Sequence, residues 1–391
     1  MTSHATEEGP ATTAPGNGAA RQGLEGVVAA ETALGDVRGE EGFYHYRQYP
    51  AVELARRRTL EDVWHLMVEG WLPDRPASEA FAARVGGLRA LPAGTAGLLP
   101  AVARLGTPMA TLRTGISLAG AELGWPPVHD AGADEIRGQS LRLCAMLPTL
   151  LAAAHRLTRG ETPIDPRPDL PLAADYLRML HGTEPTAEAA RALEQYLVTV
   201  VDHGFNASTF AARVIASTGA DLASAVCGAV GALSGPLHGG APSRSLAMLD
   251  EIGTPERAEP WLREALARGE RIMGFGHRVY RTEDPRAAFL REVAATLDPA
   301  RARLASEVER AASAVLDEHR PGRRLRTNVE LYAGVVLAGC GVPRDLFMPT
   351  FAVGRSIGWT AHVLEQVAAG RLIRPVARYV GLEPPVPVPA L

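Results

Sequence analysis

The stretch 274–286, GFGHRVYRTEDPR, gathers more chemistry than any other part of the chain. Gly274 and Gly276 flank a bulky Phe275 and deliver the chain into His277, and Arg286 follows nine residues later, behind Asp284-Pro285. Glycine lets backbone approach a ligand closely. A histidine supplies proton chemistry near neutral pH. An arginine behind a proline-fixed turn is well placed to clamp a carboxylate with two parallel hydrogen bonds. Any one of these residues alone reads as part of a glycine turn with surface charge; the string as a whole does not.

Four other segments carry related equipment. Residues 235–241 read GPLHGGA, with Pro236 and the Gly239-Gly240 pair bracketing His238 at an apparent helix end. Residues 202–209 read DHGFNAST and place His203 ahead of a run of small residues. Residues 351–359, FAVGRSIGW, set Arg355 behind a glycine, and residues 371–381, RLIRPVARYVG, set Arg374 before a proline. A lone histidine is more often a satisfied structural group than a catalyst, and surface arginines are common. Three histidines and three arginines beside Gly or Pro are what is needed to bind a dianionic oxo acid and do proton chemistry next to it. Each arginine–carboxylate contact supplies roughly 1.5–3 kcal/mol.

Composition narrows the field. A chain of 391 residues can bury a large core and is expected to form two domains. The net charge of −4 gives no case for nucleic acid or an anionic membrane surface as partner. All 40 basic residues are arginine, which excludes Schiff-base lysine chemistry and a phosphate-loop lysine. Cys144, Cys227 and Cys340 lie far apart, match no metal or redox spacing, and read as buried structural thiols in a reducing, cytoplasmic setting. No apolar run is long enough for a membrane span, and no secretory signal is evident.

The hydrophobic pattern is mostly helical. Leu60, Val63, Trp64, Met67 and Val68 form the stripe of an amphipathic helix over 59–71. Helices are also expected over 78–90, 136–157, 187–201, 257–268, 286–297 and 301–318. Strand signals are few, a short hairpin within 25–47 at most. Residues 1–22 read as a disordered leader and 384–391, PPVPVPAL, as an extended tail. Small residues dominate 206–234, and Gly219 is positioned to split this run into two closely packed helices. Such helices serve either tight packing within one subunit or a helix-on-helix dimer interface.

These motifs, in this order from GLEGVVAAET (23–32) to RPVARYVG (374–381), resemble those of the citrate synthase family, which joins acyl-CoA thioesters to 2-oxo acids. GPLHGG with GFGHRVYRTEDPR carries most of the resemblance. It implies a mainly α-helical, two-domain fold: a large domain of 23–239 and 341–391 and a smaller, mobile domain of 240–340. It also implies a homodimer, with the small-residue helices at the interface. By position, His238 resembles the histidine that stabilises the enol of the acyl-CoA, and His277 the one that polarises the oxo-acid carbonyl. His203, Arg286 and Arg355 resemble the oxo-acid ligands, and Arg374 an arginine lent by the partner subunit. The loop of Arg271, Ile272, Met273, Gly274, Phe275 and Gly276 resembles the one that wraps the adenine of CoA, and Arg281 a phosphate contact. The resemblance implies oxaloacetate and an acyl-CoA as substrates, and no metal or bound redox cofactor.

One catalytic position departs from the family pattern. The family usually reads Asn-Val-Asp followed by an aromatic; here 328–334 is NVELYAG and the carboxylate is Glu330. Abstracting a proton from a weak carbon acid requires a base within hydrogen-bond reach. Glutamate is one methylene longer, and a misplacement of about 1 Å costs on the order of 100-fold in rate. Pro242-Ser243 replaces the usual Asn-Glu, and Gly204 replaces an acidic residue. GPLHGGAP, DHGFNASTF and NVE together resemble a subgroup of second citrate synthases. The functions implied are citrate synthase, 2-methylcitrate synthase or a related specialised condensing enzyme, and, in a different class, a non-catalytic metabolite-binding paralogue.

Overall fold

The computed structural model describes residues 22–24, 26–238, 242–277, 279–280 and 282–389. The chain divides into two units, 32–372 and the two terminal segments 1–31 with 373–391. Within the terminal unit the described residues form a 3-10 turn, Gln22–Leu24, and an irregular segment from 373 onward. The expected leader lies outside the described residues except for Gln22.

The unit 32–372 is mainly α-helical. It opens with a three-stranded antiparallel meander of β1 (Gly35–Arg38), β2 (Phe43–Tyr46) and β3 (Tyr49–Pro50). The first helices are α1 (Ala51–Arg57), α2 (Leu60–Glu69), α3 (Arg75–Gly86), α4 (Ala93–Leu105), α5 (Pro108–Glu122) and α6 (Ala133–Thr158). Then come α7 (Leu172–His181), α8 (Ala187–Thr199), α9 (Ala207–Ser217), α10 (Leu222–Leu233) and α11 (Pro242–Ile252). The last are α12 (Ala258–Ala267), α13 (Pro285–Leu297), α14 (Pro299–His319), α15 (Val329–Gly339) and α16 (Phe347–Ala369).

Local chemistry sets many of the ends. Thr59 and Asp62 form a reciprocal cap that starts α2, worth about 1 kcal/mol, and Gly70 closes that helix in the left-handed conformation. Asp284 caps α13 with Pro285 at its first position. Gly219 separates α9 from α10 as the sequence suggests. The hairpin expected within 25–47 is present and gains a short third strand. Each expected helix exists, with ends displaced by up to four residues. The 78–90 stripe belongs to a helix that begins at Arg75 and stops at Gly86.

Seven helices escape the periodicity reading: α1, α4, α5, α7, α11, α15 and α16. For the last two the reason is burial. Almost every residue of α15 and most of α16 is buried, so neither shows a polar face, and a helix buried all round carries no amphipathic stripe. α16 crosses the centre of the unit, packed against α6, α9, α10 and α8. The hairpin is pinned to the end of α8: Tyr46 Oη donates to Val198 O at 2.8 Å and Tyr44 Oη to Thr199 O at 3.3 Å. These are terminal carbonyls with no partner inside the helix. Cys144 and Cys340 are buried and Cys227 is half-buried; all three are free thiols. Among the described residues no helix is long and apolar enough to cross a membrane.

Candidate active site

One face of α16 templates the first part of the site. Gly354, Arg355, Gly358, Trp359 and His362 recur at helical spacing and lie against residues 197–208. A Cβ on Gly358 would stand 2.1 Å from Val201 O, and one on Gly354 2.9 Å from Leu197 O, so only glycine lets the two backbones meet. Arg355 Nε donates to Val200 O at 2.6 Å, and its guanidinium sits 4.6 Å from the centre of the Phe351 ring. Burial lowers the Arg355 pKa to about 10, so it remains a cation at neutral pH. Trp359 Nε1 donates to Ser208 Oγ at 3.1 Å.

The same segment holds two of the histidines. Asn206 caps α9, its Oδ1 accepting from Ser208 N and Thr209 N. His238 Nε2 lies 2.9 Å from Ser208 Oγ and 3.2 Å from Ser208 N. His238 is thereby tied to the N-terminus of α9. His203 lies between two tyrosines: its Nε2 is 3.0 Å from Tyr280 Oη, and its ring is 5.6 Å from that of Tyr44. Burial, then the charge of Arg286, holds the His203 pKa well below the usual imidazole value.

His277 and Arg286 face His203. The His203 and His277 rings meet edge to face at 5.4 Å. His277 Nδ1 accepts from Val279 N at 3.0 Å and Tyr280 N at 3.1 Å, which places the ring proton on Nε2. The 3.4 Å approach of Arg286 Nη2 to that nitrogen therefore sets donor against donor. Burial and then Arg286 lower the His277 pKa to about 4. The ring is neutral at physiological pH and presents an N–H.

Arg286 is almost fully buried and paired in a bidentate manner with Asp284, Nε to Oδ1 at 3.0 Å and Nη2 to Oδ2 at 2.7 Å. Burial alone would lower its pKa; Asp284 outweighs that and raises it. Tyr44 and Tyr280 flank the guanidinium at 6.0 Å each. Asp284 occupies one side of the fork, so the carboxylate clamp expected from sequence has only the Nη1–Nη2 edge to work with.

Asp284 Oδ2 also accepts from Val329 N at 3.2 Å, at the start of α15. Asn328 caps that helix, its Oδ1 accepting from Glu330 N at 2.9 Å. It also stitches the helix start to the loop before His277. Asn328 N donates to Gly274 O, Asn328 Nδ2 to Gly276 O and Gly276 N to Arg326 O, while Phe275 and Thr327 form an antiparallel bridge. Gly274 and Gly276 both have left-handed φ, 80° and 87°, as this double turn demands. Burial raises the Glu330 pKa against the opposing effects of Asn328, Arg286 and Arg271.

Of the residues singled out from sequence, His203, His277 and Arg286 converge directly. Glu330 is joined to them through Asn328 and Asp284, Arg355 through the 200–203 backbone, and His238 through Ser208. In the loop 271–276, Arg271 is exposed and Ile272 buried. Arg281, Gly239 and Gly240 lie outside the described residues. Arg374 belongs to the terminal unit and is exposed. Sequence reasoning gave no roles to Tyr44, Tyr280, Ser208, Asn328 and Trp359. Tyr280, Ser208, Trp359 and Asn328 lie within the motifs quoted from the sequence, whereas nothing local marked Tyr44.

Comparisons with known proteins give the family. The family described as "Citrate synthase, C-terminal domain" matches residues 23–376. A citrate synthase from Haloferax volcanii is 39% identical over 370 residues, covering 93% of this chain and 97% of that protein. A 2-methylcitrate synthase from Mycobacterium tuberculosis is 38% identical over 364 residues, covering 93% and 91%. Among solved structures, the ternary complex of carboxymethyl coenzyme A and oxaloacetate with citrate synthase from the archaeon Thermoplasma acidophilum superposes with a TM-score of 0.85 at 28% identity, covering 94% of this chain and 97% of that one. The fold is that of the citrate synthase family of condensing enzymes. This chain belongs to the citrate synthase family.

Proposed function

We propose that the protein condenses acetyl-CoA with oxaloacetate and hydrolyses the resulting thioester to citrate and CoA. The observation that carries this reading is the pair of a neutral His277, with its proton on Nε2, and the Asp284-oriented Arg286, with a desolvated Glu330 joined to the His277 loop through Asn328. Glu330 takes a proton from the acetyl methyl group while His238 stabilises the enol. The enol carbon attacks the ketone carbon of oxaloacetate, whose carboxylates are held by His203, Arg286 and Arg355. His277 Nε2–H polarises the ketone oxygen and protonates the alkoxide as the C–C bond forms. Water then cleaves the thioester; the ring regains its proton from the attacking water, and Glu330 returns the proton it took to the departing thiolate. A neutral imidazole with a fixed N–H is suited to this, because it donates where negative charge develops.

Raising the Glu330 pKa by burial strengthens it as a base, the direction a weak carbon acid requires. Two of the departures also have local reasons. Pro242 takes the first position of α11, where a missing N–H costs nothing. Gly204 has φ 63°, a conformation that an acidic side chain would adopt at a cost. These favour a coherent variant, the subgroup of second citrate synthases, over a non-catalytic paralogue.

We further propose that 240–340 forms a small domain that closes on a large domain of 23–239 and 341–391. The candidate residues divide between the two: His277, Arg286 and Glu330 in one, His203, His238 and Arg355 in the other. In this reading closure excludes water until the thioester has formed. The loop 271–276 with Arg281 binds CoA, helices α9 and α10 form the dimer interface, and Arg374 enters the partner's site. A 2-methylcitrate synthase reading, with propionyl-CoA, stands beside the first because relatives of both names are about equally similar.

A thiol-release assay with acetyl-CoA or propionyl-CoA and oxaloacetate separates these readings. Glu330→Gln is expected to lose about 1,000-fold or more in turnover, within the range for removal of a general base, and Glu330→Asp on the order of 100-fold through displacement. Full activity in Glu330→Gln would remove Glu330 from the mechanism. No CoA release with either thioester, even at high enzyme concentration, would favour the non-catalytic paralogue.

A further inference from the structure

His203 is followed by Gly204 and preceded by Asp202, a carboxylate that is 1% exposed. Asp202 Oδ2 accepts from Gly204 N at 3.3 Å, so the two peptide units flanking His203 are tied together. Its Oδ1 lies 3.2 Å from His362 Nε2 on α16. The other imidazole nitrogen, Nδ1, lies 3.1 Å from Arg213 Nη1 on α9. Arg213 in turn donates from Nε to Gln366 Oε1 at 2.9 Å and from Nη1 to Glu365 Oε2 at 2.5 Å. Glu365 Oε1 accepts from Ala33 N at 2.7 Å.

The proton positions follow from the donors. Arginine only donates, so His362 Nδ1 must accept, and the ring proton sits on Nε2 facing Asp202. The imidazole is therefore a bridge of fixed polarity between a buried cation and a buried anion. Glu365 is held below its usual range: burial pushes it up, but the amide of Ala33 with Arg213 outweighs that. Such a buried network is rigid when every member is satisfied and costly when one is removed. None of its members was assigned a role above, and its free end is the backbone of His203.

We infer that Arg213, His362 and Asp202 form a buried positioning chain that fixes His203 from behind the substrate site. The consequence for oxo-acid binding rests on the reading of His203 as a ligand. The chain needs a group at 362 that accepts on one side and donates on the other at imidazole span. Glutamine meets that requirement, its carbonyl to Arg213 and its amide to Asp202; asparagine is polar in the same way but one methylene too short.

The test compares His362→Gln with His362→Asn and has two readouts. In the unmutated protein, nitrogen NMR of labelled histidines should place the His362 proton on Nε2. The His203 resonances should stay in place in the glutamine variant and move in the asparagine variant. In steady-state condensation and in direct calorimetric binding of oxaloacetate, asparagine should raise KM and Kd for the oxo acid about tenfold, while glutamine stays within about threefold and the acyl-CoA KM holds in both. A proton on Nδ1 of His362, or His203 resonances and oxo-acid affinity unmoved in a folded asparagine variant, overturns the chain. A parent protein that binds no oxaloacetate, with the His203 resonances behaving as stated, sinks the functional reading and leaves the positioning chain standing.

Discussion

The two walls of the candidate site are built differently. The segment 200–208 lies flat on α16, where two glycines remove the gap and three long side chains of that helix bond it. Among the described residues, 271–277 is held differently. It is a looped strand held to 326–328 by one antiparallel bridge, made of two backbone hydrogen bonds, and by the Asn328 side chain, with glycine turns on both sides of Phe275. The first wall is a packed template; the second is stitched along one seam. A rigid wall suits a small, highly charged oxo acid, whose binding depends on angle and distance. For the proposed condensation, a stitched wall suits the part of the site that would admit a thioester, because segments of low local stability can move.

The comparison is most exposed at Asp284, where the stitched wall concentrates its charge. Asp284→Asn removes the partner of a buried arginine and weakens the start of α15. It should cost about 3–5 kcal/mol of stability, measured by chemical denaturation. A loss under about 1 kcal/mol would mean the pair behaves as a surface salt bridge.

The two histidines between the walls give the next effect. Above pH 6.5 His277 is neutral in both folded and unfolded chains. Between 6.5 and about 4 the unfolded chain binds a proton that the folded chain refuses, so stability falls as pH drops and levels off below 4. The effect is worth roughly 3 kcal/mol at full extent. His277→Gln should flatten the pH dependence of the unfolding free energy over that window; an unchanged slope would contradict the burial assigned to this ring.

Gly358→Ala probes the template. Glycine to alanine inside a helix normally stabilises by about 1 kcal/mol. Here the added methyl meets Val201 O, so the sign should reverse, with a loss of about 1–3 kcal/mol from overpacking and weaker oxaloacetate binding. Asn328→Ala probes the seam. It removes the cap of α15 and one stitch, and should lower stability by only about 1 kcal/mol. Because the seam carries both Glu330 and the His277 loop, turnover should fall more than melting temperature suggests. If Asn328→Ala leaves kcat intact, the seam does not align the two.

Much of this was legible in the chain. His277, Arg286, His203 and His238 could be named because glycine and proline mark where backbone turns beside a functional side chain. The helices with one wet face could be placed from their stripe. The helices that matter most to the site, α15 and α16, were invisible to that reading because burial on all sides erases periodicity. Asp284 was read as half of a turn, and nothing in the sequence said that its carboxylate would occupy one side of the Arg286 fork. Tyr44 sits 159 residues before His203, and no local signal marks a ring that arrives by packing.

The sequence by itself determined the mainly helical fold, the residue types at the site and the substitution of Glu330 for the usual aspartate, because these depend on local turn chemistry and on motif order. Only the tertiary structure decided which nitrogen of His277 carries the proton, which edge of Arg286 remains for a ligand, and how firmly each wall is held. Those depend on which donors and acceptors meet across α8, α13, α15 and α16, and on how far burial moves the protonation of each group.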